Sequence, residues 1–529
     1  MTKRSFGPAF LVLTLFAGAA PASILACNAI LGIEDVSPAP REAGPGTDAP
    51  AESGVDPTCL ASPQQDATVI REACGIFAVP TGSDAHPGTR AQPVKTLRRA
   101  IELAAAGKTA RVYLCATTYP EPMTIGREGA FSGLSIYGGL ECDPSWRYTG
   151  ARTIVQPAAP PPPAAPPLPL RIHDAPGRVV LDGLAFVATS ATEPGQSSVA
   201  GYVSASSSVA IRGSEFTAGN GQPGADANDP VPPTQDQSTP DGNQGRSDSS
   251  GGGSAKACRC QPTGIVTTGG RGGDSDKGGG NNGLPALSAG MGGKPISFPS
   301  HAESRCTLDG AQDGGAGQAG ANGATGQSAG DAGYGSIRPE GWLPASGISG
   351  EHGGTGQGGG GGRGGLCAGA GFGALDEHNE GGGGGGCGGC GGTGGNGGGG
   401  GGSSIALLIK DAAVSIVEST LTAKDGAKGG RGTAGTEPSP PGAAGAPASA
   451  GCACSGGAGG RGGRGGHGGG GAGGLSAGVV YSGLPPQIDD LTSKRIGVGR
   501  AGSGGAGASS SSGAAASGLN GLAQPIVRL

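Results

Sequence analysis

Aromatic side chains are scarce in this chain: Phe, Tyr and Trp make up 3% of 529 residues, with 9 Phe, 7 Tyr and 2 Trp. A single large side-chain core is therefore excluded, and order must be local. Charge is also thin, at 14%, and slightly acidic, with 35 Lys+Arg against 40 Asp+Glu and a net charge of −5. That balance recruits no nucleic acid. Long hydrophobic runs are missing too, since residues 9–20 form an apolar stretch of only about a dozen where a bilayer span takes about 20. Glycine is what the chain has in excess, at 118 residues, with 42 Pro. Ten of the aromatics lie between Phe77 and Phe216, so the core is expected there.

Lys3 and Arg4 make a basic start, residues 9–20 an apolar run, and residues 21–26 a small-residue region that closes on Ile24-Leu25-Ala26-Cys27. This resembles the lipobox of bacterial lipoprotein signal peptides, departing from it at Leu25, where small residues are commoner. The resemblance implies cleavage before Cys27, a lipidated Cys27 and, with Asn28 rather than Asp following, sorting to the outer membrane. The membrane is then a partner through the lipid anchor, because two or three acyl chains hold stably where one is marginal.

Thirteen cysteines less Cys27 leave Cys59, Cys74, Cys115, Cys142, Cys258, Cys260, Cys306, Cys367, Cys387, Cys390, Cys452 and Cys454. An even number in an oxidising compartment reads as six disulfides. Cys59 with Cys74 and Cys115 with Cys142 are plausible local pairs, each closing a loop worth roughly 3 kcal/mol. The Cys-x-Cys and Cys-x-x-Cys spacings lack the paired knuckles and nearby His of a zinc site, so no metal is expected.

Residues 1–26 read as the signal, 27–58 as a Pro/Ala/Gly/Asp-rich tether, and 59–218 as the folded N-terminal part. A helix is expected from Leu97 to Ala106, since Leu97, Ile101 and Ala104 recur at helical spacing before Gly107. Strands follow at residues 111–116, 123–125 and 134–137. The order "GSDAHPGTRAQPVKTLRRAI", helix, strand, "YPEPMTI" and "LSIYGGLECDPSWRY" is similar to the entry cap and first rungs of the pectate-lyase-like superfamily. The fold this implies is mainly β, a right-handed parallel β-helix with an N-terminal capping helix. Independently, residues 179–186 and 209–216 share V-x-[L/I]-x-G-x-x-F at an offset of 30, and a similar frame returns at 414–421. Fixed-period self-similarity is the mark of stacked units. The frame places residues 219–403 and 425–475 as long glycine-rich insertions, 404–424 as a returning rung, and 476–529 as a last rung with a low-complexity tail. Residues 209–216 and 414–421 are predicted to be neighbouring parallel strands.

Inside the insertions Gly347, Gly350, Gly353, Gly356, Gly359, Gly362 and Gly365 fall every third residue, as do Gly314, Gly317, Gly320, Gly323 and Gly326. Period three is that of polyproline II, and glycine at every third place lets such helices pack closely. Either a polyglycine-II-like bundle or flexible glycine-rich loops fit. Mycobacterial glycine-rich repeat domains are similar in composition. In a three-per-turn helix Cys387, Cys390, Thr393 and Asn396 share a face, as do Arg461, Arg464 and His467. Cys387 and Cys390 would then stand roughly 9 Å apart, beyond the reach of about 7 Å for a disulfide, so each needs a partner on another strand.

No exported-enzyme constellation survives inspection. Gly107-Lys108-Thr109 lacks the glycine of a phosphate loop, since Glu102 stands there. Gly269 to Asp276 is a lone, imperfect calcium nonapeptide. Arg461-Gly-Gly-Arg464 has no interleaved aromatics for stacking bases. Asp182 and Glu215, on adjacent repeats, are the only candidate acids for polysaccharide cleavage, and they read as solvated turn residues. The expectation is a non-enzymatic envelope lipoprotein without cofactor, structural, adhesive or in contact with matrix. Extracellular polysaccharide or envelope proteins are its candidate partners. Carbohydrate binding and polysaccharide degradation stand as alternatives.

Overall fold

Alternation in the repeated frame puts Val179, Leu181, Val209, Ile211, Val414 and Ile416 on one buried face. In the computed structural model these segments are neighbouring parallel strands: Val209 pairs with Val179 and Val414, and Ile211 with Leu181 and Ile416. The structure describes residues 57–529 except 108–109, 127–132, 143–144, 159–166, 207, 248–250, 275–277, 286–288, 296–305, 307–312, 328–332, 369–376 and 512. The expected signal and nearly all of the tether, Cys27 included, lie outside the described residues.

The described chain is mainly β, with few helices, and its core sits among three parallel sheets. The first sheet holds seven strands, Ile76–Ala78, Arg111–Cys115, Gly133–Leu140, Arg178–Asp182, Ser208–Arg212, Val414–Val417 and Gln487–Ile488. The second runs from Thr118–Tyr119 through Thr153–Val155, Leu184–Val187, Glu215–Thr217 and Thr420–Thr422 to Ile496–Gly497. The third runs from Met123–Ile125 through Leu170–His173, Ser198–Ser204, Ser404–Lys410 and Ser476–Ser482 to Ala523–Arg528. From Arg111 onward the chain visits first, second and third sheet in that order, circuit after circuit.

The corners repeat as well. Leaving the third sheet, the chain passes through Asp174, Ala205, Asp411 and Gly483, all with positive φ. Leaving the first, it passes through Gly183, Gly213 and Glu418, at φ +72°, +49° and +52°. The frame glycine thus serves a left-handed corner, and Glu418 occupies that corner against its side-chain preference. Just beyond it, hydroxyls form a buried ladder: Leu184 N–H donates to Ser214 Oγ, Ser214 N–H to Ser419 Oγ, and Ser419 N–H to Thr492 Oγ1. Buried backbone donors at these bends are satisfied in this way.

The interior is a row of apolar side chains, including Val112, Ile136, Leu181, Ile211, Ile416 and the stacked Phe186 and Phe216, with ring centroids 4.9 Å apart. One end is covered by the helix Leu97–Ala106, whose buried face is Leu97, Ala100, Ile101 and Ala104. Thr96 Oγ1 accepts the Arg99 N–H as its cap, and Asp84 accepts the N–H groups of Lys95 and Thr96.

The glycine-rich segments leave at one corner, between the second and third sheets. The outgoing legs of successive circuits run parallel: Gly221, Gly224 and Ala227 donate to Asp425, Lys428 and Arg431, while Gly426, Gly429 and Gly432 donate to Arg500, Ser503 and Ala506. The 205-residue offset that joins Ser214 to Ser419 also joins Asp226 to Arg431. The legs therefore continue the register of the sheets.

Residues 381–402 run through the middle of these legs and are buried almost throughout. At every third residue from Gly383 to Gly401 the N–H donates to residues 454–472 in parallel. Gly347 to Gly362 donate to them antiparallel, at spacings of three, as do residues 427–448. A Cβ on Gly385 would lie 1.9 Å from the Gly359 carbonyl oxygen, and one on Gly391 1.9 Å from that of Gly353. Glycine is required at both by close approach. Of the two sequence alternatives, these described stretches are packed legs, not flexible loops. The tail differs from expectation at Ala523–Arg528, which extends the third sheet.

Candidate functional site

Each side chain that interrupts the central glycine leg meets a partner. Cys387 is bonded to Cys258 and Cys390 to Cys260, with Cα separations of 6.1 and 5.5 Å. Thr393 Oγ1 donates to the Val231 carbonyl and Asn396 Nδ2 to that of Asn228. The four residues do share a face. Cys258 and Cys260 come from the strand Lys256–Gln261, where i and i+2 point the same way. Elsewhere Cys59 bonds Cys74, Cys115 bonds Cys142, and Cys306 bonds Cys454. Cys452 is disulfide-bonded too, and the Cys367 side chain lies outside the described residues. Cys306, Cys454 and Asp313 cluster within metal-ligand distance, but both sulfurs are spent on each other and one carboxylate remains.

Arg461, Arg464 and His467 also lie along one face of their leg, turned to residues 433–437. Arg464 Nη2 stands 2.8 Å from Glu437 Oε1 and Arg461 Nη2 3.8 Å from Glu437 Oε2. His467 is buried, and its Nδ1 accepts the Gly435 N–H. Asp274, in the stretch that resembles a calcium nonapeptide, accepts the Gly252 N–H and pairs with Arg271 at 2.7 Å. Its charge is used within the bundle, and Asp276 lies outside the described residues, as do Lys108 and Thr109.

Asp182 and Glu215 come together around Arg152, which precedes the second-sheet strand Thr153–Val155. Arg152 Nε pairs with Glu215 Oε1 at 3.1 Å. Asp182 stands opposite Arg212 in the first sheet and is only 9% exposed, not solvated as expected. The lateral packing of parallel strands covers it. Burial pushes its carboxyl above the usual range, the Arg212 and Arg152 guanidinium groups pull it back, and Glu418 adds to the rise. The group is a charge-balanced brace across a corner: one carboxylate is held in an ion pair, and the other is compensated by two arginines. Neither acid lines the cavities beside Trp342, Arg111 or Ser415.

The cavity beside Trp342 was not read from the sequence. Residues 334–344 form a hairpin, Gly335–Arg338 with Gly341–Pro344, that lays Ile337 and Trp342 on Val199, Tyr202, Ile405 and Leu408, on the outside of the third sheet. Arg171 Nη2 donates to the Pro339 carbonyl at 2.8 Å and ties the hairpin down. Beside it opens a half-open cavity of about 400 Å³. Its walls come from three places: the loop 194–197, the end of the central leg at Gly399 and Gly400, and the hairpin residues Glu340 to Pro344. The signal that could have found it is Tyr334-Gly-Ser-Ile337-Arg-Pro-Glu340-Gly-Trp342, an aromatic and apolar island in a glycine run, with one of the chain's two tryptophans.

Among the described residues no helix is long and apolar enough to cross a membrane. No protein-family model, curated protein or solved structure matches this chain.

Proposed function

We propose that the protein is a lipid-anchored envelope protein of the outer membrane. In this reading the three sheets close into a right-handed parallel β-helix, and the glycine legs form a polyglycine-II-like projection with a structural or adhesive role. The observation that carries it is the stacking of the legs in register with the sheets, stapled by the Cys258–Cys387 and Cys260–Cys390 bonds. A backbone lattice of this kind makes a stiff rod at low side-chain cost, as a surface projection needs and a catalytic loop does not. Parallel pairing throughout and one fixed order of sheets support the β-helix, since each circuit buries its apolar face only against its neighbours.

Cell fractionation and intact-mass analysis test the anchor. The wild-type protein is expected in the membrane fraction with acyl groups on Cys27, and Cys27→Ser is expected to release it or stall the precursor. A soluble wild-type protein with unmodified Cys27 contradicts the reading. For the projection, Gly391→Val is expected to abolish cell-to-surface attachment while leaving the protein anchored; attachment unchanged in that variant argues against the adhesive role.

A further inference from the structure

We propose that the cavity beside Arg111 binds the phosphate group of a phosphate monoester. Its volume of about 300 Å³ stands at the lower end of small-ligand sites, roughly 300–1,000 Å³. The cavity lies on the outer face of the first sheet. There Arg111 stands opposite Ser135, Ser135 opposite Val180, and Gly133 opposite Arg178. Alternation turns these residues outward, while Val112, Leu134, Ile136 and Val179 face the core. Arg111 and Arg178 thus flank one strand, their own strands about 10 Å apart across the sheet. Between them Gly133 has no side chain and Ser135 a short one, which leaves the floor of the cavity low.

The two guanidinium groups bring charge that no neighbour neutralises. Arg111 is 6% exposed, and its hydrogen bonds all go to uncharged oxygens. Its Nη2 donates to Tyr137 Oη at 2.7 Å and to the Ala61 carbonyl, and its Nη1 to Tyr113 Oη at 3.4 Å. A buried cation without an anion is costly. The Arg111 Nε–H has no hydrogen-bond partner among the described residues and is not sealed from solvent. The Arg178 guanidinium is exposed and also has no partner among the described residues. Tyr137 Oη accepts from Arg111 and keeps its own proton to donate. No carboxylate lines the cavity, and Asp182, farther along the same face, is compensated by Arg212 and Arg152.

A site made of donors with two positive charges fits a group that only accepts and carries two negative charges. A phosphate monoester carries about −1.5 to −2 at neutral pH, with a second pKa of about 6, and guanidinium forks match its oxygens. Carboxylates, sulfate esters and phosphate diesters each bring a single charge. Leu60 and Val180 border the space beyond one oxyanion, where the organic part of the ester would lie.

Calorimetric titration of the full-length protein with phenyl phosphate is expected to saturate at one site at a pH of about 8, above the second pKa of the ester. Phenyl sulfate, alike in shape but singly charged, should bind at least about tenfold more weakly, the worth of one charge-assisted hydrogen bond. Lowering the pH to about 5 should weaken phenyl phosphate and leave phenyl sulfate unchanged. Arg178→Gln breaks no side-chain contact among the described residues. It should weaken phenyl phosphate at least about tenfold while the unliganded protein melts as wild type, and Arg178→Lys should recover part of the loss. Glucose 6-phosphate and dihexanoyl phosphatidic acid separate the two sources of such a group: tighter binding of the first marks a soluble ester, and of the second a lipid headgroup. The proposal is overturned if phenyl phosphate does not bind, if phenyl sulfate binds as well, or if Arg178→Gln binds as wild type. None of these results touches the anchor or the adhesive role, which are tested separately.

Discussion

Sheet stack and glycine legs share one register but are held together by opposite means. Between the sheets the interior is side chain: Leu181, Ile211, Phe216 and Ile416 are fully buried, and backbone hydrogen bonds run only around that core. Between the legs the interior is backbone, and a methyl group at Gly385 would collide with a carbonyl oxygen. Gln357, a large polar side chain buried there, is bonded at both ends, accepting the Gln318 N–H and donating to the Ala289 carbonyl. Close packing can therefore be reached by filling space with side chains or by removing them, and each route fails to a different kind of mutation.

The largest effect should come from adding a side chain where none fits. Gly391→Val, whose side chain would meet the Gly353 carbonyl, is expected to cost more than about 4 kcal/mol locally and to open residues 347–362 to protease while the sheets still melt cooperatively. Gly497→Ala, with nothing within 4 Å of the new methyl, should be tolerated. The reverse change, Leu181→Ala, should cost about 2–5 kcal/mol and lower the melting of the sheets. Equal protease sensitivity of the legs in all three variants would erase the distinction.

Next in size are the staples. Replacing Cys258 and Cys387 together by Ser opens a link across 129 residues and should cost about 2–4 kcal/mol, read as a lower denaturant midpoint for the legs alone. A single shared transition, shifted as a whole, would show instead that the two regions unfold as one.

Acid and base should separate the regions by sign. Asp226 accepts the Arg431 N–H and its guanidinium, which together hold its carboxyl below the usual range. Its contribution to the legs is thus present above the ordinary carboxylate value of about 3.9 and lost as pH falls through the lowered one. Asp182 is raised, chiefly by burial, so its folded form holds a proton that the unfolded chain releases. Stability of the sheets should decline as pH rises from about 3.9 toward the raised value. Asp182→Asn should flatten that decline, and Asp226→Asn should flatten the acid loss of the legs. Melting profiles that Asp182→Asn leaves unchanged in shape would contradict the assignment.

The smallest change tests the corners. Ala205 has φ +47°, where Gly483 stands in a later circuit, so Ala205→Gly should stabilise the sheets by up to about 1 kcal/mol. A loss of stability would mean that the corner is not strained.

The sheets were legible because their signal is a repeated side-chain pattern. The frame at Val179 and Val209 and its echo at Val414 gave both strand and register, even across 205 residues. The helix at Leu97–Ala106 was marked by apolar spacing and a closing glycine. In the legs period three was visible, and the shared face of Cys387, Cys390, Thr393 and Asn396 followed from it. Which legs neighbour one another was not legible, because glycine carries no side chain to encode a partner, and only the exceptions, the cysteines and Asp226, do so. The burial of Asp182 was hidden for another reason: it depends on what lies in the adjacent circuit, where Arg212 and Arg152 supply the countercharge. The Trp342 cavity was missed because it is assembled from three distant segments.

Amide hydrogen exchange along residues 381–402 tests most directly whether a backbone lattice holds the legs. Nearly every N–H in that stretch donates to a neighbouring leg, so the account expects protection comparable to that of the sheet strands 404–410 and 476–482. Exchange at the rate of an unstructured glycine chain, with the strands still protected, would contradict it.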